Sequence, residues 1–367
     1  MPRSTQAQGR PVSLKMLAEH LDLSPATVSF VLNNAPNRSI PEATRERVRA
    51  AAREFNYQPS MVARLLQGKR SQTIGILLPE LGEGYHAQVL AGAADVFMRE
   101  GYFFFTAHHR HRKDLVDEYP RLLHQRGVEG ILAIDSHIES SGSSPTVTVA
   151  GHKTFAGVSN ILLDHDRAAE LALGHLVREG HRDILFMRGP GLSSDTASRW
   201  RSLVRVAKLL KLPMPESHVI RLEEFLNTPE LGYPGVQQVM MRHRDFTAVV
   251  CFNDISAIGA IRALHDGGLE VPGDVSVIGF DDLTVASYFV PSLTTIRQPL
   301  MQMGATAATM LLKKIRGEHT ESVVKIEPEL IVRESTGRAD ASRASVPGSP
   351  LARRRKSAGL QPQQTNV

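Results

Sequence analysis

The chain has 367 residues, 42% of them hydrophobic, with 43 Lys and Arg against 38 Asp and Glu. That length exceeds one ordinary core and calls for two or three domains, while no apolar run approaches the ~20 residues of a membrane span. The single cysteine, Cys251, excludes an internal disulfide, and the lack of an apolar signal core near the start points to the cytoplasm.

Charge is unevenly spread. Residues 1–72 hold 11 basic against 5 acidic side chains, residues 338–367 hold 6 against 1, and the large middle holds 26 against 32. Basic charge therefore gathers at the two ends, where contacts to phosphates would use it.

Residues 1–11 are polar and read as a disordered N-terminus. Residues 12–57 read as an all-helical head. Leu14, Leu17, Ala18 and Leu21 recur at helical spacing. Ser24 is placed to cap a second helix, and Pro25 suits its first position, where no N–H bond is lost. Val28, Val31 and Leu32 form that helix's inner stripe; Ala26, Ser29, Phe30 and Asn33 lie opposite and suit a major groove. A third helix near Pro41 to Asn56 turns Thr44, Val48, Ala51, Ala52 and Phe55 to one face and most of its arginines outward. The pattern is a helix-turn-helix, which names double-stranded DNA as the partner. Residues 58–72 form a linker in which Ser60 can cap one or two turns, too short to be stable alone.

From Thr73 the pattern changes to apolar strands alternating with amphipathic helices. The strands are Ile74–Pro79, Tyr102–Ala107, Gly130–Ile134, Asp183–Arg188, His218–Leu222, Ala248–Phe252 and Val275–Phe280. The helices are Ala87–Glu100, Leu115–Gln125, Ala168–Glu179, Ser198–Leu210, Gly235–His243 and Ser256–Asp266. This is the α/β signature of parallel sheets covered on both faces. Residues 73–337 suit two such lobes, the first about 73–179 plus 291–320 and the second about 180–290 plus 321–337. Residues 338–367 turn to Ser, Ala, Pro, Arg and Gln and read as a disordered basic tail.

An ordered series of motifs resembles the lactose-repressor (LacI/GalR) family of bacterial transcription regulators. The series runs through Ala26-Thr-Val-Ser, Val31-Leu-Asn, Thr44-Arg-Glu-Arg-Val, Asn56-Tyr-Gln-Pro, Ala63-Arg-x-Leu66 and Thr73-Ile-Gly-Ile. It continues with Gly180-His-Arg-Asp-Ile, Arg199, Asn253-Asp254, Val271-Pro-Gly-Asp-Val-Ser-Val-Ile-Gly-Phe-Asp-Asp282 and Leu293-Thr-Thr-Ile-Arg-Gln-Pro299. The match spans Val12 to Gly337, about nine tenths of the chain. It implies a helix-turn-helix head, a hinge helix, and a two-lobed core like a periplasmic binding protein, made of two doubly wound parallel sheets.

For DNA the resemblance and the residue types point to Ser13, Leu14, Pro25, Ala26, Thr27, Ser29, Phe30, Asn33, Arg38, Ala63 and Leu66. Ser13, Thr27, Ser29 and Asn33 are short polar groups suited to phosphates or base edges, although Ser13 and Thr27 can equally serve as helix caps. Leu66 matches the hinge leucine that wedges into the minor groove in the family, at a cost of a few kcal/mol in unstacking. Phe30 departs from the family, which usually places arginine there for bidentate contact with guanine. Asp22 replaces a usual glycine, and the 34–40 loop is about two residues longer than the usual pattern.

For an effector the expected residues are Tyr85, His86, Asp164, Arg199, Asn253 and Asp281. Ligands of α/β lobes lie at the carboxyl ends of strands, and Asn253, Asp281 and Arg199 follow strands there. An amide, carboxylates and a guanidinium together can hold several hydroxyls, which suggests a carbohydrate. The first βα loop, Pro79-Glu-Leu-Gly-Glu-Gly-Tyr-His86, departs from the family's Pro-Asp-x-x-Asn-Pro-Phe-Phe. His108-His-Arg-His111 lacks a carboxylate cage and reads as a surface loop; His124, His137 and His152 read as isolated, and no metal or cofactor is expected. No nucleophile–base–orienter set or phosphate loop appears, so an enzyme is not expected.

The expectation is a DNA-binding repressor, cytoplasmic and nucleoid-associated, acting on a pseudo-palindromic operator as a homodimer or homotetramer under a small effector. A sugar-binding module with a degenerate head is the alternative, motivated by Phe30 and the longer loop.

Overall fold

A computed structural model describes residues 12–33, 39–57, 70–82, 84–138, 144–152, 155–223 and 228–340. The chain divides between Gln72 and Thr73 into two compact units.

The first unit holds helices α1 (Leu14–Leu21), α2 (Pro25–Leu32) and α3 (Glu42–Glu54). Ser13 caps α1 by accepting from Met16 N at 3.2 Å, and Ser24 caps α2 by accepting from Thr27 N at 3.1 Å. Asp22 ends α1 in the left-handed region at φ 54°, tolerable for Asp where glycine is usual. Leu17, Ala18, Leu21, Val28, Val31, Val48 and Ala51 close a small core. Arg47 Nη2 donates to Leu21 O at 3.1 Å, which ties α3 to the end of α1. Phe55, expected on the inner face, is 37% exposed and stands edge-on to His20.

The second unit contains two six-stranded sheets. The first sheet is built from β1 (Thr73–Leu78), β2 (Phe103–His108), β3 (Gly130–Ile134), β4 (Thr146–Val149), β5 (Val158–Leu163) and β11 (Val323–Ile326), in the order β11-β5-β4-β3-β1-β2, all parallel. The second contains β6 (Ile184–Arg188), β7 (Val219–Arg221), β8 (Ala248–Val250), β9 (Ser276–Asp281), β10 (Thr294–Arg297) and β12 (Glu329–Ile331). Its order is β12-β10-β9-β8-β6-β7, and only β10–β12 is antiparallel.

Burial on both faces explains the continuous apolar strands. On the first sheet, Ile74, Ile76 and Leu78 of β1 pack against α4 (Tyr85–Arg99) and α11 (Leu300–Ile315), while Leu77 meets α5 (Lys113–Gln125). On the second, Ile184 and Phe186 of β6 meet α6 (His165–Arg178) and α7 (Thr196–Leu209). Leu185 and Met187 meet α8 (Tyr233–Arg242) and α9 (Asp254–Asp266), in a cluster that also takes Ala286 of the short α10 (Thr284–Tyr288).

The chain crosses between lobes three times: β5 to α6, β10 to α11, and β11 to β12. This corrects the expected lobe boundaries. Residues 165–178 pack in the second lobe, β10 belongs to the second sheet, and β11 to the first. The sequence pattern does not mark β4, β5, β10, β11 or β12 as strands.

The crossing of α4 and α11 fixes where α4 presents its first turn. A Cβ on Gly304 would lie 1.9 Å from Val89 O, and one on Gly92 would lie 2.0 Å from Met301 O. Backbone, which cannot yield as a side-chain tip can, is the obstacle in both. Gly304→Val should therefore destabilise the core by about 3 kcal/mol through overpacking, read as a lower urea midpoint.

Candidate functional site

Between the lobes, the carboxyl ends of the strands supply a ring of polar side chains. Gly84 precedes α4 at φ 100°, ψ −139°, a conformation open to glycine, and sets Tyr85 and His86 in the helix's first turn. Asp135 follows β3 in the left-handed region at φ 45°. It accepts from Ser194 N at 2.7 Å and Ser193 Oγ at 3.5 Å, bonds that run from one lobe to the other. The Ser194 hydroxyl also donates to it. His86 Nε2 lies 3.5 Å from the second oxygen of Asp135.

Arg199, on the first turns of α7, is the cation of this ring. It is 7% exposed. Nη1 donates to Phe252 O at 2.6 Å and Nη2 to Asp195 Oδ2 at 3.4 Å. The guanidinium carbon lies 3.7 Å from the Phe280 ring centre and 4.8 Å from that of Phe252. Asp195 also receives His165 Nε2 at 3.1 Å and, more closely, His152 Nε2. Burial raises the Asp195 carboxyl, but the charge and hydrogen bonds of the His165 and His152 imidazoles outweigh it and hold the group well below the usual range.

Asn253 caps α9: its Oδ1 accepts from Ser256 N at 2.9 Å, while Ser256 Oγ accepts from Asn253 N at 3.0 Å. Asp281 ends β9 at φ 115°, a region L-residues avoid, at a cost on the order of 1–3 kcal/mol. Gln298 Nε2 donates to it at 2.6 Å. Burial first pushes the Asp281 carboxyl up to about 6, against the lowering pull of Arg199 and Gln298. An unfolded aspartate titrates near ~3.9, so between pH ~4 and about 6 the folded chain keeps a proton the unfolded chain has lost. This group's contribution therefore falls as pH rises through that window, and its full cost stands above it. Asp281→Asn should be more stabilising, relative to the native chain, at pH 7 than at pH 4, by on the order of 2–3 kcal/mol in urea unfolding.

Tyr85, His86, Asp135, Ser193, Asp195, Arg199, Phe252, Asn253 and Asp281 line one cavity. Tyr85 Oη, Arg199 Nε and Gln298 Oε1 are buried without a hydrogen-bond partner. Five of the six expected effector residues thus meet here. Asp164 does not. It sits on the first crossing and caps α6, its Oδ1 accepting from Asp166 N at 3.1 Å and Arg167 N at 3.0 Å.

Sequence reasoning missed Asp135, Ser193, Asp195 and Phe252. The strand-end rule selects Asp135 and Phe252; nothing local marks Asp195. Asp254 and Asp282 are spent internally. Asp254 accepts from Leu283 N at 2.7 Å and Thr295 Oγ1 at 2.6 Å, and Asp282 pairs with Arg297 at 2.7 Å and Arg333 at 2.6 Å. The expectation of a surface loop at 108–111 is corrected at His109, which is 1% exposed with Nε2 2.8 Å from Ser136 Oγ. Burial lowers its pKa to about 4. His152 is not isolated, since it meets Asp195.

In the head, Pro25 and Ala26 are exposed on α2, and Thr27, Ser29 and Phe30 are half-buried. Asn33 Nδ2 donates to Ser29 O at 2.7 Å and Ser29 Oγ at 3.2 Å, and Thr27 Oγ1 lies 2.9 Å from Ser24 Oγ. Leu14 packs against the head's core rather than standing outward. Arg38, Ala63 and Leu66 lie outside the described residues.

Residues 13–60 match the bacterial regulatory proteins of the lacI family, and residues 173–336 match a periplasmic binding protein-like domain. The HTH-type transcriptional repressor PurR of Erwinia tasmaniensis is 33% identical over 337 residues, covering 88% of this chain and 96% of that protein. The chain belongs to the LacI family. It is a DNA-binding transcriptional repressor with a ligand-binding core. The PurR of Photorhabdus laumondii is 31% identical over 333 residues, with the same coverage of each chain. Among solved structures, the lac repressor dimer bound to operator and the anti-inducer ONPF superimposes with a TM-score of 0.79. It shares 27% identity and covers 89% of this chain and 100% of that one. The transcriptional regulator CelR in complex with cellobiose gives 0.65 at 27% identity, with the same coverage of each chain. Among the described residues, no helix is long and apolar enough to cross a membrane.

Proposed function

We propose that this LacI-family repressor binds a pseudo-palindromic operator as a dimer and that a small carbohydrate in the interlobe cleft sets its DNA affinity. Two heads lie on successive half-sites, with the hinge segments paired between them. Ser13, Thr27, Ser29 and Asn33 reach phosphates or base edges from the head. Pro25, Ala26 and Phe30 offer apolar contact, and Arg38, Ala63 and Leu66 contribute from the loop and hinge. Because Phe30 cannot grip guanine as an arginine does, this head reads fewer bases by hydrogen bonds. The protein works in the cytoplasm on chromosomal DNA, and its role is regulatory rather than catalytic.

One observation carries the effector reading. The bonds from Ser193 and Ser194 to Asp135 cross the cleft beside a cavity with unpartnered buried polar atoms at Tyr85 and Arg199. A ligand there touches both lobes at once, so it has differential affinity for open and closed cores, which is what a switch requires. Tyr85 and His86 flank its ring, while Asp135, Arg199, Asn253 and Asp281 hold its hydroxyls. The lac repressor, solved on operator with an anti-inducer, and CelR, solved with cellobiose, support reading this chain as an operator-binding protein with a sugar-like effector.

The experiment is a thermal-shift screen of mono- and disaccharides, followed by fluorescence anisotropy on the chain's own promoter DNA with each hit. A hit should change DNA affinity by about 5- to 150-fold. A sugar that stabilises the core yet leaves DNA affinity unchanged, with equal binding to random DNA, would instead favour the sugar-binding module with a degenerate head.

A further inference from the structure

We propose that His152, His165 and Asp195 form a binding site for a divalent transition metal of the zinc and cobalt class, bridging the two lobes. The inference rests on reading the cleft as the core's ligand site and adds a metal to what that site holds.

The donors converge from three elements. His152 follows β4 in the first lobe, held in the left-handed region at φ 49°. His165 opens α6 and Asp195 precedes α7, both in the second lobe. One nitrogen from each ring and one oxygen of Asp195 lie within 4.8 Å of one another. Nε2 of both rings meets the same oxygen of Asp195, so both imidazoles address one point. Two imidazoles and a carboxylate are borderline donors suited to zinc or cobalt, and three protein ligands leave a coordination position for an exogenous oxygen.

Charge supports the same assignment. Asp135, Asp195 and Asp281 are 4%, 5% and 5% exposed, and among the described residues Arg199 is the one Lys or Arg lining the cavity. Its Nη1 and Nη2 are taken up by Phe252 O and Asp195, which leaves Nε alone to face the cavity. Buried carboxylates in excess of cations are costly, and a divalent ion offsets that cost. Arg199 also holds the second oxygen of Asp195 and so turns the first toward the histidines, the orienting role that groups behind metal ligands perform.

A second group on the described residues, His218, His243 and Asp245, serves as the internal control. Its carboxylate, Asp245, is 65% exposed and stays hydrated, whereas the Asp195 side chain is 8% exposed and must find its counter-charge inside the protein.

The test is a titration of the full-length, chelator-stripped protein with Co²⁺ and then Zn²⁺, read by visible absorption and calorimetry. The expected result is one Co²⁺ per protomer with low-symmetry d–d bands that Zn²⁺ abolishes. His152→Gln and Asp195→Asn should each weaken Co²⁺ about 10-fold or more, and His243→Gln should leave it unchanged. The His152 side chain is 15% exposed, so an unchanged far-ultraviolet spectrum of His152→Gln shows that any loss is not unfolding. Absence of the bands, or their loss in His243→Gln and not in His152→Gln, overturns the proposal. A carbohydrate that alters DNA affinity while no Co²⁺ binds refutes the metal and leaves the effector reading standing. A Co²⁺ band without any carbohydrate response upholds the metal and removes the carbohydrate.

Discussion

Arg199→Ala should lower the core's unfolding free energy by about 3–5 kcal/mol and abolish its response to effector, because it strips the counter-charge from a buried carboxylate. Asp195 is 5% exposed and would lose Nη2, while Phe252 O would lose the 2.6 Å bond from Nη1. The space between the Phe252 and Phe280 rings would open as well. Arg199→Lys should recover little. An ammonium is a compact point charge, and it lacks the flat face that lies 3.7 Å from the Phe280 ring centre. Urea unfolding of the three proteins at pH 7 is the check. A loss under ~1 kcal/mol for the alanine variant would mean the Asp195 carboxylate is not buried as described.

Val28→Asp should eliminate specific DNA binding while leaving effector binding to the core intact. Val28 is 0% exposed at the centre of the head's small core, among Leu17, Ala18, Val31 and Val48. A charge there has no partner, and its cost exceeds ~4 kcal/mol. A domain this small has roughly 3–5 kcal/mol in hand, so the head unfolds. The core begins at Thr73 as a separate compact unit and keeps its own packing. Gel shift on promoter DNA and thermal shift with the effector, run on the same preparation, read the two outcomes separately. Loss of both would show that the head and core do not fold independently.

The head and the cleft were unequally legible in the sequence. Helix spacing and Ser24-Pro25 place α2 directly, because caps and apolar periodicity are local properties. Tyr85, His86, Arg199, Asn253 and Asp281 follow from position at strand ends together with the family resemblance, and they do share one cavity. Thr146–Val149 and Val158–Leu163 were not read as strands, since one is four residues and the other carries Ser159 and Asn160, polar yet 2% exposed each. Helix 165–178 shows its apolar face plainly, but periodicity does not say which sheet that face meets. Ala168, Leu173 and Leu176 pack with Ile184 and Phe186 of the second lobe. Asp164 looked like a ligand because a carboxylate before a helix is either a cap or a contact, and here it is a cap. The meeting of His152 with Asp195, 43 residues apart, is tertiary and leaves no trace in local pattern.

The most direct test of the central account is anisotropy of the full-length protein on its promoter palindrome against a scrambled duplex, across a series of salt concentrations. The account predicts affinity at least ~10³-fold tighter on the palindrome, a steep fall with salt on both duplexes, and two protomers per duplex. Equal affinity for both duplexes, or binding indifferent to salt, would contradict it.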